Sequence, residues 1–255
     1  MAPVVKNRPY SLLARFYDHL TDGVAEMNRH ARREVLGKAL DRARVVCDLA
    51  CGSGETAIEL AKRGHDVHAV DSSAVFLRDV REKAVRAGVR VKTHRADMRT
   101  FRLRQPVDLL LCEFAALNNL DRRSDLAKVF RCVARALRPG GLFAFDVNTR
   151  LAFETQTPRG EWVERKEFKL VIHGVPEDHG LRTPLHLEWF VPERGRYRHV
   201  RETIVHVCWT EPEIRRELAK AGFTRIRTFD GADVRPRKMK TPRGTDLYFV
   251  AERRA

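Results

Sequence analysis

The sequence predicts an α/β fold: a doubly wound, mostly parallel seven-stranded sheet with an antiparallel β insertion after its fifth strand. Two patterns lead to this prediction. Short apolar runs alternate with segments of helical periodicity from residue 45 to residue 147, which is typical of a parallel sheet covered by helices on both faces. Residues 160–209 then alternate apolar and polar side chains, as antiparallel strands do. A hydrophobic fraction of 43% over 255 residues is sufficient for such a core.

The five core strands and the helices between them each have a local signal. Leucines and Phe16 recur at helical spacing near the N-terminus. Ser72 or Ser73 can cap a later helix that Gly88 ends, and RPGG at 138–141 is expected to break the last helix of this region. We therefore expect helices at 11–20, 23–40, 56–63, 73–88 and 121–137, and strands at 45–49, 66–70, 89–94, 107–112 and 142–147.

The pattern changes after Asn148. Alternating segments with turns at VPEDHG and PERG predict an antiparallel insertion. TEPEIRRELAKAGF then begins with a T-x-x-E capping box and ends at Gly222, which predicts a helix, and strands are expected at 223–229 and 245–251. The expected divisions are N-terminal helices at 1–43, a cofactor-binding core at 44–149, a β-rich insertion or lid at 150–209, and a C-terminal helix and hairpin at 210–255.

Composition narrows the class of protein. The formal net charge of +15 is spread over both halves and is densest at 194–201 and 235–243. This distribution favours solvated faces or the rim of a site for anionic substrates over a nucleic-acid surface. No apolar run approaches the ~18 residues of a membrane span, and no signal peptide is evident. Five cysteines without a CxxC pair indicate reduced thiols, a cytoplasmic protein and no metal site.

The turn after the first core strand is the strongest functional signal. Gly52 and Gly54 stand between a strand and a helix, where a ligand can approach backbone N–H groups at the helix N-terminus. Asp71 ends the next strand, where a carboxylate can accept the hydroxyl hydrogens of a ribose. Asp48 precedes the turn and would oppose a pyrophosphate but suits an ammonium group. A cofactor with a ribose and an amino-acid end therefore fits better than a dinucleotide.

These segments resemble a known family. DLACGSG (48–54) followed by HAVDSS (68–73) is similar to the first two motifs of class I S-adenosylmethionine-dependent methyltransferases. The resemblance touches about residues 10–255, is weakest in the insertion, and continues through FYDHL (16–20), RADMRTF (95–101), VDLLLCEFAALNNL (107–120), ALRPGGLFAFDVNT (136–149) and WTEPEIRRELAKAGF (209–223).

The resemblance implies a Rossmann-like core that binds S-adenosylmethionine and releases S-adenosylhomocysteine. It implies that Asp97 meets the adenine amino group, that the Met98 backbone meets the ring, and that Tyr17 lies beside the cofactor. The expected cofactor-binding residues are Tyr17, Asp48, Ala50, Gly52, Gly54, Asp71, Ser72, Asp97, Met98, Glu113 and Phe114.

One position departs from the family pattern. Relatives often carry a small polar or acidic residue at the position of Ala115, and many nucleic-acid enzymes carry an Asn/Asp-Pro-Pro-aromatic motif there. This chain has Glu113-Phe114-Ala115-Ala116 instead, which lacks the group that would grip a base amine. A small-molecule N- or O-methyltransferase is therefore favoured. The alternatives are an RNA or protein methyltransferase that uses the basic surface, and a non-catalytic S-adenosylmethionine-binding protein.

The catalytic residues cannot be named from the sequence. Methyl transfer depends mainly on positioning, and a general base is needed only when the nucleophile arrives protonated. Asn118 and Asn119 are expected to cap the following helix, with substrate binding as the alternative. The insertion is expected to form a lid or side wall over the acceptor pocket, in a monomer or a homodimer. Candidate bases lie in or beside it: His173, His179, His186, His199 and His206.

Overall fold

The computed structural model describes residues 5–6, 9–21, 24–236 and 241–255. The first residue of the predicted helix at 23–40 and the middle of the basic run at 235–243 lie outside these described residues. The strands are β1 (Val5–Lys6), β2 (Val45–Leu49), β3 (Asp66–Asp71), β4 (Val91–Arg95), β5 (Val107–Cys112), β6 (Leu137–Asn148), β7 (Arg159–Glu164), β8 (Lys169–Gly174), β9 (Arg182–Glu193), β10 (Arg196–Val207), β11 (Phe223–Asp230) and β12 (Asp246–Arg253).

Helices alternate with the strands of the main sheet, except that β5 follows β4 directly along the chain. They are α1 (Leu12–Phe16), α2 (Val24–Leu36), α3 (Lys38–Arg42), α4 (Glu55–Lys62), α5 (Ala74–Arg86), α6 (Arg123–Ala136), α7 (Arg150–Gln156), α8 (Glu211–Lys220) and α9 (Gly231–Val234). Short 3-10 helices lie at Tyr17–His19, Ala116–Asn119 and Asp178–Gly180. Thr210 and Glu213 form the predicted capping box of α8. None of the helices in the described part of the chain has the length and apolarity needed to cross a bilayer.

The main sheet has seven strands in the order β11-β12-β6-β5-β2-β3-β4. Neighbours among β6, β5, β2, β3 and β4 are parallel, whereas β12 is antiparallel to both of its neighbours. The predicted doubly wound, mostly parallel sheet is therefore confirmed. Strand order reverses at β2, with β3 and β4 on one side and β5 and β6 on the other. In such sheets the crevice at the carboxyl ends beside this reversal is where ligands bind.

The start of β6 differs from the prediction. RPGG was expected to be a break before a strand at 142, but β6 already begins at Leu137, which pairs with Val107. Leu142 pairs with Leu109, so residues 138–141 form a bulge inside the strand. Gly140 has φ +75, and a Cβ at Gly141 would lie 2.9 Å from the carbonyl oxygen of Arg138. The two glycines therefore allow a bulge rather than ending the element.

Each face of the main sheet buries its own apolar cluster. One cluster lies between the sheet and α6 and α8, and it contains Phe130 and Phe143. The other lies on the opposite face, where α2 and α4 contribute Val35 and Leu60 against Tyr248 of β12. Polar side chains near the carboxyl ends of the strands are thus held between rigid layers, which fixes their positions for chemistry.

A second sheet of five strands stands beside the main one, in the order β1-β10-β9-β8-β7. Strands β7 to β10 are antiparallel and confirm the predicted β insertion after the fifth core strand. The sequence did not predict β1, which pairs in parallel with β10. One face of this second sheet buries Phe168 and Trp189 against Phe16 of α1. The N-terminal segment is therefore part of the same layer as the insertion.

Candidate active site

The turn after β2 has the backbone geometry that its glycines suggest. Ala50, Gly52 and Gly54 have φ values of 56°, 51° and 84°, in the left-handed region. The Cys51 amide donates to the Val70 carbonyl at 3.1 Å and ties the turn to β3. Helix α4 begins at Glu55, so its free N–H groups lie at the carboxyl edge of the sheet.

The two glycines of this turn have different surroundings. A Cβ at Gly54 would lie 2.5 Å from Cγ2 of Val80, a buried side chain of α5. Among the described residues, a Cβ at Gly52 would meet just the Tyr17 ring, at 3.9 Å. Gly54 is therefore required by close packing between α4 and α5, whereas Gly52 keeps a surface open beside Tyr17.

Alanine at each glycine should separate these two roles. Both substitutions place a side chain at positive φ, which costs about 1–2 kcal/mol. Gly54→Ala adds the overlap with Val80, so we expect it to lower the free energy of unfolding by about 1–2 kcal/mol more than Gly52→Ala does. Urea unfolding of the two variants measures this difference. Equal losses of stability would show that the packing at Gly54 has been misread.

Asp71 joins the turn to the next helix. Its side chain is 8% exposed and lies at the end of β3. One carboxylate oxygen accepts the Gly52 amide at 3.1 Å, and the other accepts the Ser73 amide at 2.8 Å. Burial raises its pKa, while these backbone N–H groups act in the opposite direction. Of the two serines that could cap α5, Ser73 is the N-cap. Ser72 instead lines the wall of a cavity.

Asp48 is a buried acid with an unused acceptor. It is 3% exposed, and its Oδ2 has no hydrogen-bond partner among the described residues. Burial raises its pKa to about 8, and the nearby negative charge of Glu113 adds to this effect. Because the side chain lines a cleft with Gly52 and Thr56, a cationic donor entering that cleft would satisfy the free oxygen.

Glu113 is the centre of a buried polar network, in which sequence reasoning missed the partners Arg32 and Tyr248. Its carboxylate forms an ion pair with Arg32 of α2 and accepts the Tyr248 hydroxyl at 2.6 Å. Arg32 is 1% exposed, also pairs with Glu59, and donates to the Thr56 hydroxyl at 3.1 Å. The one sequence signal for a buried arginine is the position of Arg32 next to Ala31, on the apolar face of α2. Glu113 itself lines two cavities, so this network supports the wall from behind.

Phe114 and Ala115 follow in consecutive left-handed conformations, with φ values of 63° and 50°. Such conformations are strained for residues other than glycine and persist where the surrounding structure holds them. The Ala115 amide donates to Oδ2 of Asp146 at 3.1 Å. Phe114 lines two of the cavities, whereas Ala115 does not line them and its neighbour Ala116 lines one.

A central cavity of about 640 Å³ brings many of the predicted residues together. Two smaller clefts share walls with it, one beside Asp48 and one beside Asp97. The lining includes Tyr17, Asp48, Ala50, Gly52, Asp71, Ser72, Asp97, Met98, Glu113 and Phe114. Gly54 does not line these cavities, because it packs against Val80 instead.

The predicted adenine contact has a competitor. Asp97 accepts hydrogen bonds from the Arg99 amide at 2.8 Å and from its guanidinium at 2.9 and 2.6 Å. These bonds to Arg99 lower the pKa of Asp97. The carboxylate is therefore engaged, although it still lines the cleft with Met98 and Leu120.

The outer wall of the central cavity comes from the N-terminal segment, residues 9–17, and not from the predicted lid. Pro9, Tyr10, Ser11 and Tyr17 line it, whereas no residue of 150–209 lines this cavity or its two clefts. Tyr17 packs edge-on against Phe76, with ring centroids 5.2 Å apart. Burial raises its pKa to about 12, so its hydroxyl is protonated at neutral pH. The insertion is one layer away, beneath this segment.

The two asparagines after β5 make tertiary hydrogen bonds instead of capping the following helix. Asn118 donates to the carbonyls of Asn148 and Val207 and accepts the Asn148 amide, so it joins strand ends rather than capping a helix. Asn119 accepts the Tyr10 hydroxyl at 2.7 Å, and the N-cap of α6 is Arg122. The expectation that the two asparagines cap α6 is wrong, because both side chains are engaged across the fold.

The five candidate histidines lie away from the cavities. None of His173, His179, His186, His199 and His206 lines the central cavity or its clefts. His206 packs on Phe153, and burial lowers its pKa to about 4. His199 pairs with Glu188 at 2.6 Å. Within the described residues no cluster of three or more His, Cys, Asp or Glu could hold a metal ion.

Known proteins share this architecture. Residues 46–141 match a family model described as a methyltransferase domain. A relative is the "Putative methyltransferase YqeM" of Bacillus subtilis (strain 168), which is 26% identical over 213 residues, 82% of this chain and 83% of that protein.

Two solved structures show the same fold. An S-adenosylmethionine-dependent methyltransferase from Clostridium acetobutylicum ATCC 824 matches with a TM-score of 0.79 at 19% identity, covering 96% of this chain and 99% of that one. The sugar N-methyltransferase KedS8 from Streptoalloteichus sp ATCC 53650 matches with a TM-score of 0.71 at 22% identity, covering 96% and 93%. These likenesses extend over the second sheet as well as the main one.

Proposed function

We propose that this chain, which belongs to the class I S-adenosylmethionine-dependent methyltransferases, moves the cofactor's methyl group to a nitrogen or oxygen atom of a small molecule. S-adenosylmethionine is its cofactor. The observation that carries the small-molecule proposal is the central cavity of about 640 Å³, whose lining includes the rings of Tyr10, Tyr17 and Phe114. A pocket with mostly apolar walls and a few polar groups is typical of small ligands.

The residues of the cavity fit this cofactor. The free Oδ2 of Asp48 is matched by an ammonium group, and the open backbone at Gly52 allows close approach. Asp71 stands at the strand tip where a ribose is held in such sheets. We propose that the cofactor contacts are made by Tyr17, Asp48, Ala50, Gly52, Asp71, Ser72, Asp97, Met98, Glu113 and Phe114, with Gly54 shaping the turn behind them.

The protein's part in the reaction is mainly positioning. The bound cofactor supplies a methyl group that a positively charged sulfonium already activates. Glu113 presents a carboxylate fixed by Arg32 and Tyr248, and the rings of Tyr17 and Phe114 offer faces that attract a cation. The N-terminal segment forms part of the wall on this side. No histidine lines the described cavity, so an acceptor that arrives as a neutral amine suits it, since such an amine needs no base to attack.

The fold neighbour KedS8 acts on a sugar nitrogen, which supports a small acceptor for this chain. The RNA or protein alternative has less support. Glu113-Phe114-Ala115-Ala116 follows β5 in place of an Asn/Asp-Pro-Pro-aromatic motif, and the Glu113 carboxylate is already engaged by Arg32 and Tyr248. The non-catalytic alternative stays a possible outcome of experiment, and the transfer assay below decides among the three.

The test is transfer of radiolabelled methyl groups from S-adenosylmethionine into a cell extract that is then separated into small molecules, RNA and protein. We expect label in the small-molecule fraction, dependent on this protein and reduced with Asp71→Ala when the cofactor is below saturation. A panel of amino sugars, simple amines, alcohols and carboxylic acids then identifies the class of acceptor. Label confined to RNA or protein would refute the proposal. Tight cofactor binding without label in any fraction would favour a binding protein.

The raised pKa of Asp48 predicts that cofactor binding depends on pH. An ammonium group favours the ionised carboxylate, whereas the empty protein holds a proton there below about pH 8. Binding of S-adenosylhomocysteine at about pH 6.5 should therefore release a proton, and its affinity should rise as the pH increases toward about 8. Because the folded pKa exceeds the unfolded one of about 4, this group lowers stability as pH rises between these two values.

Titration calorimetry of S-adenosylhomocysteine in buffers of different ionisation enthalpy counts the released proton. Asp48→Asn should abolish both the release and the pH dependence. If the wild type and Asp48→Asn show the same pH profile, Asp48 does not face the ammonium group.

A further inference from the structure

Glu202 is a buried carboxylate in the middle of the second sheet. It lies on β10 and is fully buried, and within the described part of the chain backbone amides are its hydrogen-bond partners. Its two oxygens accept the amides of Leu12 at 2.6 Å and of Leu13 at 3.0 Å. These are the first two residues of α1, so a side chain 190 residues away in sequence caps this helix.

Helix α1 depends on this contact for its place. It has five residues, which is too short for a helix to be stable by itself. Glu202 supplies the acceptors that the amides of Leu12 and Leu13 need at the start of the helix. A negative charge at a helix N-terminus is also favourable for the helix dipole. The carboxylate thus sets where α1 begins.

The N-terminal segment, residues 9–17, contacts both the second sheet and the central cavity. Leu12 and Phe16 are buried in the apolar cluster of the second sheet. Tyr17 and Tyr10 line the central cavity, and Tyr10 joins the two sides, because it packs against the apolar cluster and also bonds to Asn119 in the cavity wall. A shift of α1 on the sheet would therefore move the cavity wall.

We propose that Glu202 is a positioning residue for methyl transfer: by capping α1 it holds Tyr17 and the N-terminal segment closed over the cofactor cavity. The second sheet therefore acts on the reaction through α1, not as a lid over the acceptor. This inference rests on the proposed function, since it assigns a role in closing that same site. Closure and cofactor binding favour each other, because a cofactor that contacts Tyr17 stabilises the docked segment.

The test compares Glu202→Gln and Glu202→Ala with the wild type. Glutamine keeps the shape but leaves one acceptor oxygen for two amides, and alanine leaves none. We expect the dissociation constant for S-adenosylhomocysteine, measured by calorimetry, to rise at least about fivefold in Glu202→Gln and further in Glu202→Ala. Hydrogen exchange of residues 9–17 should be faster in both variants and should no longer slow fully when the ligand is added.

Glu188→Gln is the matched control. Glu188 lies on β9 of the same sheet and pairs with His199 and Arg201, without a contact to α1. Its replacement should leave ligand affinity and exchange at residues 9–17 unchanged. A merely structural role for Glu202 would lower the unfolding midpoint but leave the affinity of the folded protein within about twofold of the wild type, and this result would overturn the proposal.

The wild type itself provides a second measurement if the variants do not fold. Saturating S-adenosylhomocysteine should slow exchange at residues 9–17 and also at the part of β10 around Glu202. Unchanged exchange at both places would overturn the inference. Failure of the wild type to bind the ligand at all would instead refute the proposed function, so the two failures are distinguishable.

Discussion

Arg32→Ala is expected to lower the free energy of unfolding by about 3–5 kcal/mol, because it leaves the buried carboxylate of Glu113 without its countercharge. Arg32 is 1% exposed and is the ion-pair partner of both Glu113 and Glu59. Truncation removes the charge and also the hydrogen bond to Thr56. Denaturant unfolding measures this loss. The m value should equal that of the wild type, which would show that only the stability has changed.

Arg29→Ala is the control for this prediction. Arg29 lies on the same helix and contacts the same Glu59 at 3.3 Å, but its side chain is 43% exposed. Exposed ion pairs contribute about 0–1 kcal/mol, so its removal should be nearly neutral. Similar losses for the two variants would contradict the importance of burial.

A double variant separates the value of the pair from the penalty of an unpaired charge. Arg32→Met with Glu113→Gln removes both charges together. We expect it to recover much of the stability lost in Arg32→Ala, since neutral replacements of buried pairs are often tolerated. The affinity of the double variant for the cofactor should still be lower than that of the wild type, because Glu113 lines the cavity.

Asp71→Ala is expected to weaken cofactor binding by about 1–3 kcal/mol, the usual penalty of leaving a buried polar partner unpaired. The substitution removes the carboxylate proposed to hold the ribose. It also frees the amides of Gly52 and Ser73, so the turn that approaches the cofactor loses its tie to α5. Calorimetric titration with S-adenosylhomocysteine measures the change.

Asp66→Ala is the matched control, since Asp66 begins the strand that Asp71 ends. Asp66 pairs with Lys92 at 2.7 Å on the exposed opposite edge of the sheet. Its loss should leave cofactor affinity unchanged. If Asp71→Ala also binds with wild-type affinity while remaining folded, the ribose has been placed at the wrong residue.

Much of the core was predictable because its signals are local. Strands β2 and β5 have the predicted bounds, and the glycine turn, the N-cap of α5 and the capping box of α8 all form as expected. Each depends on the hydrogen bonding or backbone freedom of residues within a few positions of one another. The strand order then follows from the packing rules for alternating strands and helices.

The sequence by itself determined the α/β core and the glycine turn with an acid on each side, because short-range periodicity and turn chemistry encode both. Only the tertiary structure decided what surrounds them. Arg32 meets Glu113 across 81 residues, Tyr248 meets it across 135, and Glu202 caps α1 across 190. No periodicity records such pairings, since they arise when separate elements pack. For the same reason the cavity wall comes from residues 9–17 and not from the insertion.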